Sequence, residues 1–560
     1  MVYPKNKLAQ VVIASSVANQ LADVVISPGS RNAPLTIGFS AVENIQTHSI
    51  VDERCAAFVA LGMSQKTNHT TAVLCSSGSA LLNYYPAVAE AFYSHIPLVI
   101  ISADRPKNKI DIGDGQTIRQ EGVFGNHILF QANLKEIQNQ EDETWNKELL
   151  FKAYQTAKEQ KGPVHINVPF EEPLYDLVNE LKTYPEILVP EAQEIQEELL
   201  DEQTLVTFSK EWNSANKKLV LVGVHQPDEL LQEQINHLLK DPSVLVFTET
   251  TSNLDNQGVV NSIDQFLAGL SDEEKQELKP DILLSIGGMV VSKRIKQYLR
   301  TFSPKAHWVV HPHVGYDTYF CLSHHFKNSA TLFFSQFFWR TEKVGSTYQL
   351  FGLSIKEKRK AAHNNYLLKA PYTDFSVFDC INQSLPKNTI LQLANSATIR
   401  YAQLFDISKG IKVFCNRGTS GIDGSTSTAV GYAIKTQEQV VLVTGDLSFL
   451  YDSNALWNSE IPKNFRIIVV NNNGGGIFKI LPGPKQTQAL PYFETPHGLT
   501  AENLAKMYGF NYLKAENKKE LSKQLKSFYK VENKPKLLEV FTPSDLNDSV
   551  LVAYFENFKK

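Results

Sequence analysis

At 560 residues the chain is long enough for roughly two to four compact units, which excludes a single small module. A hydrophobic share of 42% and a charged share of 20% are ordinary globular usage and argue against extended disorder. The net charge of −4 excludes a chain-wide cationic surface, so neither nucleic acid nor an anionic membrane is expected as a partner and any anion site must be local.

In chain order, the segment VVIASSVANQLADVVIS is interrupted by Asn19, Gln20 and Asp23, so it predicts neither a spanning helix nor a cleaved leader. Strand-like runs then end in small or turn residues at DVVISPGS (23–30), TAVLCSSGS (71–79) and PLVIISADRP (97–106). Between the last two, ALLNYYPAVAEAFYSH has the length of the crossover helix that parallel strands require. A polar, Glu- and Pro-rich stretch around 181–218 predicts a connection into a new unit. There KLVLVGVHQP, SVLVFTETT, PDILLSIGG and AHWVVHPH read as strands, with MVVSKRIKQYLR as a helix. A second polar connection is expected over 341–366. After it, NTILQLANS, IKVFCNRG, QVVLVTGD and FRIIVVNNN alternate with helical segments such as SNALWNSE and AENLAKMYG. The expected fold is α/β, with three consecutive doubly wound domains and largely parallel sheets, divided at 1–182, 183–350 and 351–560. No repeat of 20 to 50 residues is visible, although the first and last thirds share strands with polar tips. Cys55, Cys75, Cys321, Cys380 and Cys415 are scattered and never spaced as C-x-x-C, which predicts buried, reduced thiols in a cytoplasmic protein.

The strongest chemical signal is Gly445-Asp446 after the apolar run QVVLVT, followed by Asn471-Asn472-Asn473-Gly474-Gly475-Gly476 after FRIIVV. Ligands of doubly wound sheets sit outside the carboxyl ends of the strands, so two such tips can converge on one ligand. A carboxylate, an amide oxygen and a backbone carbonyl form part of a shell for a hard octahedral cation that keeps phosphate oxygens as its other ligands. Taken separately, each motif reads equally well as a helix cap or a tight turn; the spacing of the pair is what carries the signal.

The pair resembles the metal–diphosphate signature of thiamine-diphosphate enzymes. That resemblance implies thiamine diphosphate with Mg2+, or alternatively Mn2+, held by the side chains of Asp446 and Asn473 and the carbonyl of Gly475. The sequence departs from the general pattern at Leu447, where a glycine is usual; its backbone N–H is expected to remain free for phosphate. Such enzymes also need an acid beside the aminopyrimidine ring, and Glu53 opens the helix-like run of HSIVDERCAAFVALG. A glutamate hydrogen-bonded to a ring nitrogen favours the imino tautomer, which can accept the proton of the reacting carbon. By position alone Glu53 could equally be a first-turn acid complementing a helix dipole.

More narrowly, SPGSRNAPL (27–35), VDER (51–54), SADRP (102–106), GQTIRQ (115–120), SKR (292–294), NRGTSGIDGSTSTAVG (416–431), GDLSFLYDSNAL (445–456) and NNNGGGIF (471–478) resemble the menaquinone-pathway synthases of that family. The resemblance runs through the whole chain. It implies a transferase that decarboxylates 2-oxoglutarate and adds the resulting succinyl-semialdehyde carbanion to isochorismate. Both substrates carry two carboxylates, and arginine's planar fork suits such groups. The recognisable motifs supply Arg31, Arg105, Lys293, Arg294, Arg400 and Arg417. Ser30, Ile477 and Leu481 complete the expected substrate site, and Gln116 is expected to orient substrate or adduct, acting with Glu53 and Arg31 in catalysis. Ser396, Arg417, Gly421, Ile422, Leu447 and Phe478 are expected around the cofactor, with Ile422 as the bulky wedge between its two rings. If a helix starts at Asn395 or Ser396, Ser396 and Arg400 lie one turn apart and could face one anion. Because Glu53 and the metal motif fall in different domains, the resemblance implies a homodimer or homotetramer with active sites at the subunit interface. The competing readings are an acetohydroxyacid-synthase-like enzyme or simple 2-oxo acid decarboxylase, for which the arginines would have little purpose, and a non-catalytic Rossmann-like regulator, which would need neither Glu53 nor the Asp446/Asn473 pair.

Overall fold

The computed structural model describes residues 2–182, 198–479, 483 and 486–559. Among them lie three six-stranded sheets in which every neighbouring pair of strands is parallel. The first sheet runs in the order Gln46–Ser49, Asp23–Ile26, Thr71–Cys75, Leu98–Asp104, Pro163–Pro169, Phe130–Asn133. The last runs Lys412–Phe414, Ile390–Leu393, Val440–Gly445, Arg466–Asn471, Lys536–Phe541, Asn511–Ala515. Counted along the chain, both follow the same permutation, second, first, third, fourth, sixth, fifth. The likeness of polar tips in the first and last thirds therefore reflects a shared topology. The central sheet differs: Val259–Val260, Val244–Thr248, Lys218–Val222, Ile282–Ile286, Ala306–Val310, Leu322–Phe326.

The inner strands are largely apolar rather than alternating because helices cover both sheet faces, while edge strands such as Gln46–Ser49 and Leu322–Phe326 are more polar. Thr71–Cys75, Leu98–Asp104, Lys218–Val222 and Arg466–Asn471 are buried at every position. The first and last units share one core, in which Val59, Met63 and Ala60 meet Val430, Ala429 and Tyr432. Two glycines allow this: a Cβ at Gly62 would stand 2.0 Å from the Thr428 carbonyl oxygen, and one at Gly431 would stand 2.0 Å from that of Val59. Helix Glu53–Thr67 and helix Ser425–Ile434 thus approach backbone to backbone, each through the other's glycine.

Three expectations need correction. The polar connection over 341–366 is mostly a helix, Tyr348–Leu367, anchored by buried Tyr348, Gly352, Ile355 and His363 while its Lys-rich face stays in water. Helix Glu202–Ser214 likewise occupies much of the first connection, whose residues 183–197 lie outside the described residues. All five cysteines are free thiols, but only Cys55, Cys75 and Cys415 are buried; Cys321 and Cys380 are partly exposed. No helix among the described residues is long and apolar enough to cross a membrane.

Candidate active site

At the carboxyl edge of the first sheet, Asp52 caps helix Glu53–Thr67 by accepting the Cys55 N–H, which places Glu53 in the first turn. The half-buried Glu53 carboxylate receives Asn83 Nδ2 at 3.2 Å. Beside it, Ser77 Oγ donates to the Gln116 carbonyl at 2.9 Å, and the Gly78 N–H donates to Gln120 Oε1 at 2.9 Å. Buried Gln120, four residues from Gln116, also donates to Ser102 Oγ, the Ala103 carbonyl and Asn167 Oδ1, and so fixes this turn. The Gln116 side chain itself is exposed, as is Ser30. Arg31 is buried, donating to the Phe170 carbonyl at 3.0 Å and pairing with Glu172 at 3.1 Å. Arg105 donates from Nη2 to the Gly115 carbonyl at 3.2 Å, while its buried Nε has no protein partner.

The corresponding edge of the last sheet carries the expected metal motif on neighbouring strands, with Gly445 in register with Val470. Asp446 is buried; its Oδ2 accepts the Gly474 N–H at 2.9 Å and stands 3.3 Å from His497 Nε2. Burial raises its pKa against the N–H groups of Leu447 and Gly474 and the nearby His497, which lower it. The Leu447 N–H is not free, contrary to expectation: it donates to Asp446 Oδ1 at 2.7 Å. Asn473, exposed and at φ 67°, accepts the Gly498 N–H at 3.0 Å on Oδ1, and the Gly475 carbonyl accepts the Phe478 N–H at 3.1 Å. Each oxygen keeps a further lone pair. Among the described residues no cluster of three or more His, Cys, Asp or Glu could hold a metal, so the candidate shell is one carboxylate, one amide and one carbonyl. This all-oxygen set fits a hard divalent cation that shares phosphate oxygens, and the added Cβ of Gly445 would meet nothing within 4 Å.

The loop between strand Lys412–Phe414 and helix Ser425–Ile434 holds the next group. Asn395 Nδ2 donates to the carbonyls of Asn416 and Gly421 at 2.7 Å each, and Ser448 Oγ donates to that of Ile422 at 2.9 Å. Arg417 Nη1 donates to Asn395 Oδ1 at 2.7 Å. Buried Glu90, from the first unit, accepts the N–H groups of Gly418 and Thr419 at 2.8 and 2.7 Å. Helix Ala397–Ala402 starts after Ser396, and Arg400 Nη1 donates to the Ser396 carbonyl at 2.6 Å, one turn away, which leaves its other N–H groups for a ligand. Ile477 and Phe478 are half-buried beyond the metal loop, the Phe478 ring 5.4 Å from that of Phe493. Leu481 lies outside the described residues.

The central unit also reaches this edge. Arg294 stacks on Phe555 of the last unit at 4.4 Å, and both Arg294 and Arg400 act electrostatically on half-buried Asp264. Lys293 is exposed on the first turn of the same helix, and Lys296, which sequence reasoning missed, shares its field with Arg417 and Glu249. Arg294 and Arg400 thus share Asp264 as a neighbour, and Arg400 and Lys296 share Arg417. Arg31, Arg105 and Gln116 belong to the other edge, and among the described residues no hydrogen bond or ion pair joins Glu53 to Asp446 or Asn473. Asn395, Asn416, Glu90 and Asp374 were also missed. Burial pushes the Asp374 carboxyl up to about 6, and it receives Asn472 Nδ2 at 2.8 Å behind the metal loop. Glu90 is a lone acid in the apolar run AVAEAF, whereas Asn395, Asn416 and Asp374 stand beside other polar residues and carry no distinct signal.

Comparison with known proteins agrees with this arrangement. Residues 6–132 match the thiamine pyrophosphate enzyme N-terminal TPP-binding domain, 191–393 the middle domain of thiamine pyrophosphate enzymes, and 396–540 the C-terminal TPP-binding domain. The chain is 51% identical over 558 residues to the 2-succinyl-5-enolpyruvyl-6-hydroxy-3-cyclohexene-1-carboxylate synthase of Flavobacterium johnsoniae, covering 99% of this chain and 100% of that one. It is 37% identical over 547 residues to the synthase of the same name from Porphyromonas gingivalis, covering 95% and 94%. In fold it is similar to benzoylformate decarboxylase from Polynucleobacter necessarius, with a TM-score of 0.72 at 16% identity, covering 96% of this chain and 99% of that one. With three TPP-enzyme domains in order and full-length relatives at this identity, the chain belongs to the 2-succinyl-5-enolpyruvyl-6-hydroxy-3-cyclohexene-1-carboxylate synthase family of thiamine-diphosphate enzymes.

Proposed function

We propose that this chain decarboxylates 2-oxoglutarate and transfers the succinyl-semialdehyde unit to isochorismate, as a cytoplasmic enzyme of menaquinone biosynthesis. The observation that carries the reading is the presence in one chain of two strand edges built on one topology. One presents the Glu53 carboxylate, and the other presents Asp446 and the Asn473 loop on neighbouring strand tips.

Asp446, Asn473 Oδ1 and the Gly475 carbonyl would hold Mg2+ or Mn2+ with the diphosphate, and Ile422 would support the bend between the two rings. When bound, thiamine diphosphate supplies the carbon nucleophile and the electron sink for departing carbon dioxide. Glu53 holds and returns the proton at the pyrimidine end. Arg294, Arg400 and Arg417, with Lys293 beside them, orient the substrate carboxylates; at ~4 Å each such pair gives about 4 kcal/mol before desolvation at an effective dielectric near 20. Arg31, Arg105, Ser30 and Gln116 bind from the other edge, which brings the two edges together across a homodimer.

The test is product analysis after mixing the protein with isochorismate, 2-oxoglutarate, thiamine diphosphate and Mg2+. Formation of the cyclohexene carboxylate supports the proposal. Turnover of pyruvate or 2-oxobutyrate in its place would point to an acetohydroxyacid-synthase-like enzyme, and failure to bind the cofactor would point to a regulator.

A further inference from the structure

The segment 249–253 of the central unit touches both sources of the basic cluster. Glu249, only 3% exposed, accepts the N–H of Val291 through one carboxylate oxygen and that of Ser292 through the other, each at 2.7 Å. Ser292 is the N-cap of helix Lys293–Thr301, and its hydroxyl donates to Asp264. Four residues on, Asn253 completes a two-way clasp on the edge strand that leads to Arg417: its Oδ1 accepts the Val413 N–H at 2.7 Å and its Nδ2 donates to the Val413 carbonyl at 2.9 Å. One short stretch thus fixes the start of the helix bearing Lys293, Arg294 and Lys296 against the strand that feeds Arg417.

We propose that Glu249 is a positioning residue for substrate binding: by holding the Val291 and Ser292 N–H groups it sets the cations of the central unit opposite Arg400 and Arg417. Its two oxygens each satisfy one backbone donor, for which no other acceptor is found among the described residues, and a carboxylate offers an oxygen to each at once. Its electrostatic neighbours are Asp264, Arg417, Lys296 and Tyr319, so it also lies within the field of the cations it places. Without it, the 290–292 turn loses its reference point while the cofactor half-sites, built on other loops, stay intact. The inference rests on the reading of the basic cluster as the substrate site.

The test is steady-state kinetics of the holoenzyme for E249A and E249Q, with thiamine diphosphate affinity measured alongside. For E249A we expect KM for at least one of 2-oxoglutarate and isochorismate to rise about tenfold or more, with kcat within about threefold and cofactor affinity unchanged. E249Q retains one acceptor, so its KM should lie between E249A and wild type. A purely structural loss would lower the active fraction, and hence kcat, while leaving KM in place; that outcome, or both KM values within about twofold of wild type, overturns the proposal. If E249A does not fold, E249Q carries the test alone: a raised KM at near-normal kcat supports the proposal, and both KM values within about twofold of wild type overturn it. R400A and R294A separate the two levels: if they leave both KM values unchanged, the substrate-site reading itself fails, whereas raised KM in these with none in E249A defeats only the role of Glu249.

Discussion

Ser448, two residues after the candidate metal ligand Asp446, donates its hydroxyl to the backbone carbonyl of Ile422 at 2.9 Å. The helix that begins at the candidate metal ligand therefore holds Ile422, the residue proposed to support the bend between the cofactor rings. Ser448→Ala should loosen Ile422 and lower kcat/KM by up to about tenfold, the worth of one net hydrogen bond, with little loss of fold stability. Ile422→Ala should cost more, because it removes the wedge itself. Kinetics of the two variants check the order.

Gly474 stands at φ 140°, and a Cβ there would lie 2.4 Å from the Glu494 carbonyl oxygen. Its N–H also donates to Asp446. Gly474→Ala therefore displaces a partner of the candidate metal carboxylate as well as straining the backbone. Calorimetric titration with thiamine diphosphate and Mg2+ should show affinity reduced on the order of a hundredfold, two such perturbations being involved.

His48 joins the first and last units. Its ring contacts Asp23 at 2.9 Å on one side and Glu460 on the other, and Lys435 reaches the same Asp23 oxygen at 2.9 Å. Burial opposes charging of the ring, but the hydrogen bonds to Asp23 and Glu460 prevail and raise its pKa from 6.5 to about 9. A raised folded pKa means that the stabilisation is complete below 6.5 and is lost as pH rises through about 9. Thermal denaturation from pH 6 upward should show Tm falling across that window by more in the wild type than in His48→Gln. Parallel curves would remove the assignment.

Asp452 is a second tie between the same units. It accepts the Ser427 N–H and hydroxyl at 2.7 Å each, receives Cys55 Sγ at 3.6 Å, and stands 3.9 Å from Arg54. Asp452→Ala leaves these buried groups without their acceptor and should cost about 3 kcal/mol. We expect a Tm lower by several degrees, with the cofactor restoring part of the difference.

Much of this was legible in the sequence because strands buried on both faces write themselves as apolar runs, and their turn residues mark the edge where ligands bind. Asp446 and Asn473 were singled out for that reason, and Glu53 through the family resemblance. Helix Tyr348–Leu367 was misread because its wide Lys- and Asn-rich face resembles a linker, and only four of its positions are buried. Glu90, Glu249 and Asp374 escaped because a single acid looks the same in sequence whether it faces water, caps two buried N–H groups as Glu90 and Glu249 do, or accepts buried side-chain donors as Asp374 does. The loss of the free Leu447 N–H to Asp446 depends on a side-chain rotamer that no spacing encodes. The shared strand order of the first and last units is likewise a property of pairing and not of residue identity.

In the proposed function, one cofactor lies between Glu53 of one subunit and Asp446 of the partner subunit. Mixing Glu53→Gln and Asp446→Ala proteins after reversible dissociation tests it most directly, since each alone should be nearly inactive. A random mixture of dimers contains hybrids with one intact site, so activity should recover to about a quarter of wild type. A mixture that stays as inactive as its components would contradict the account.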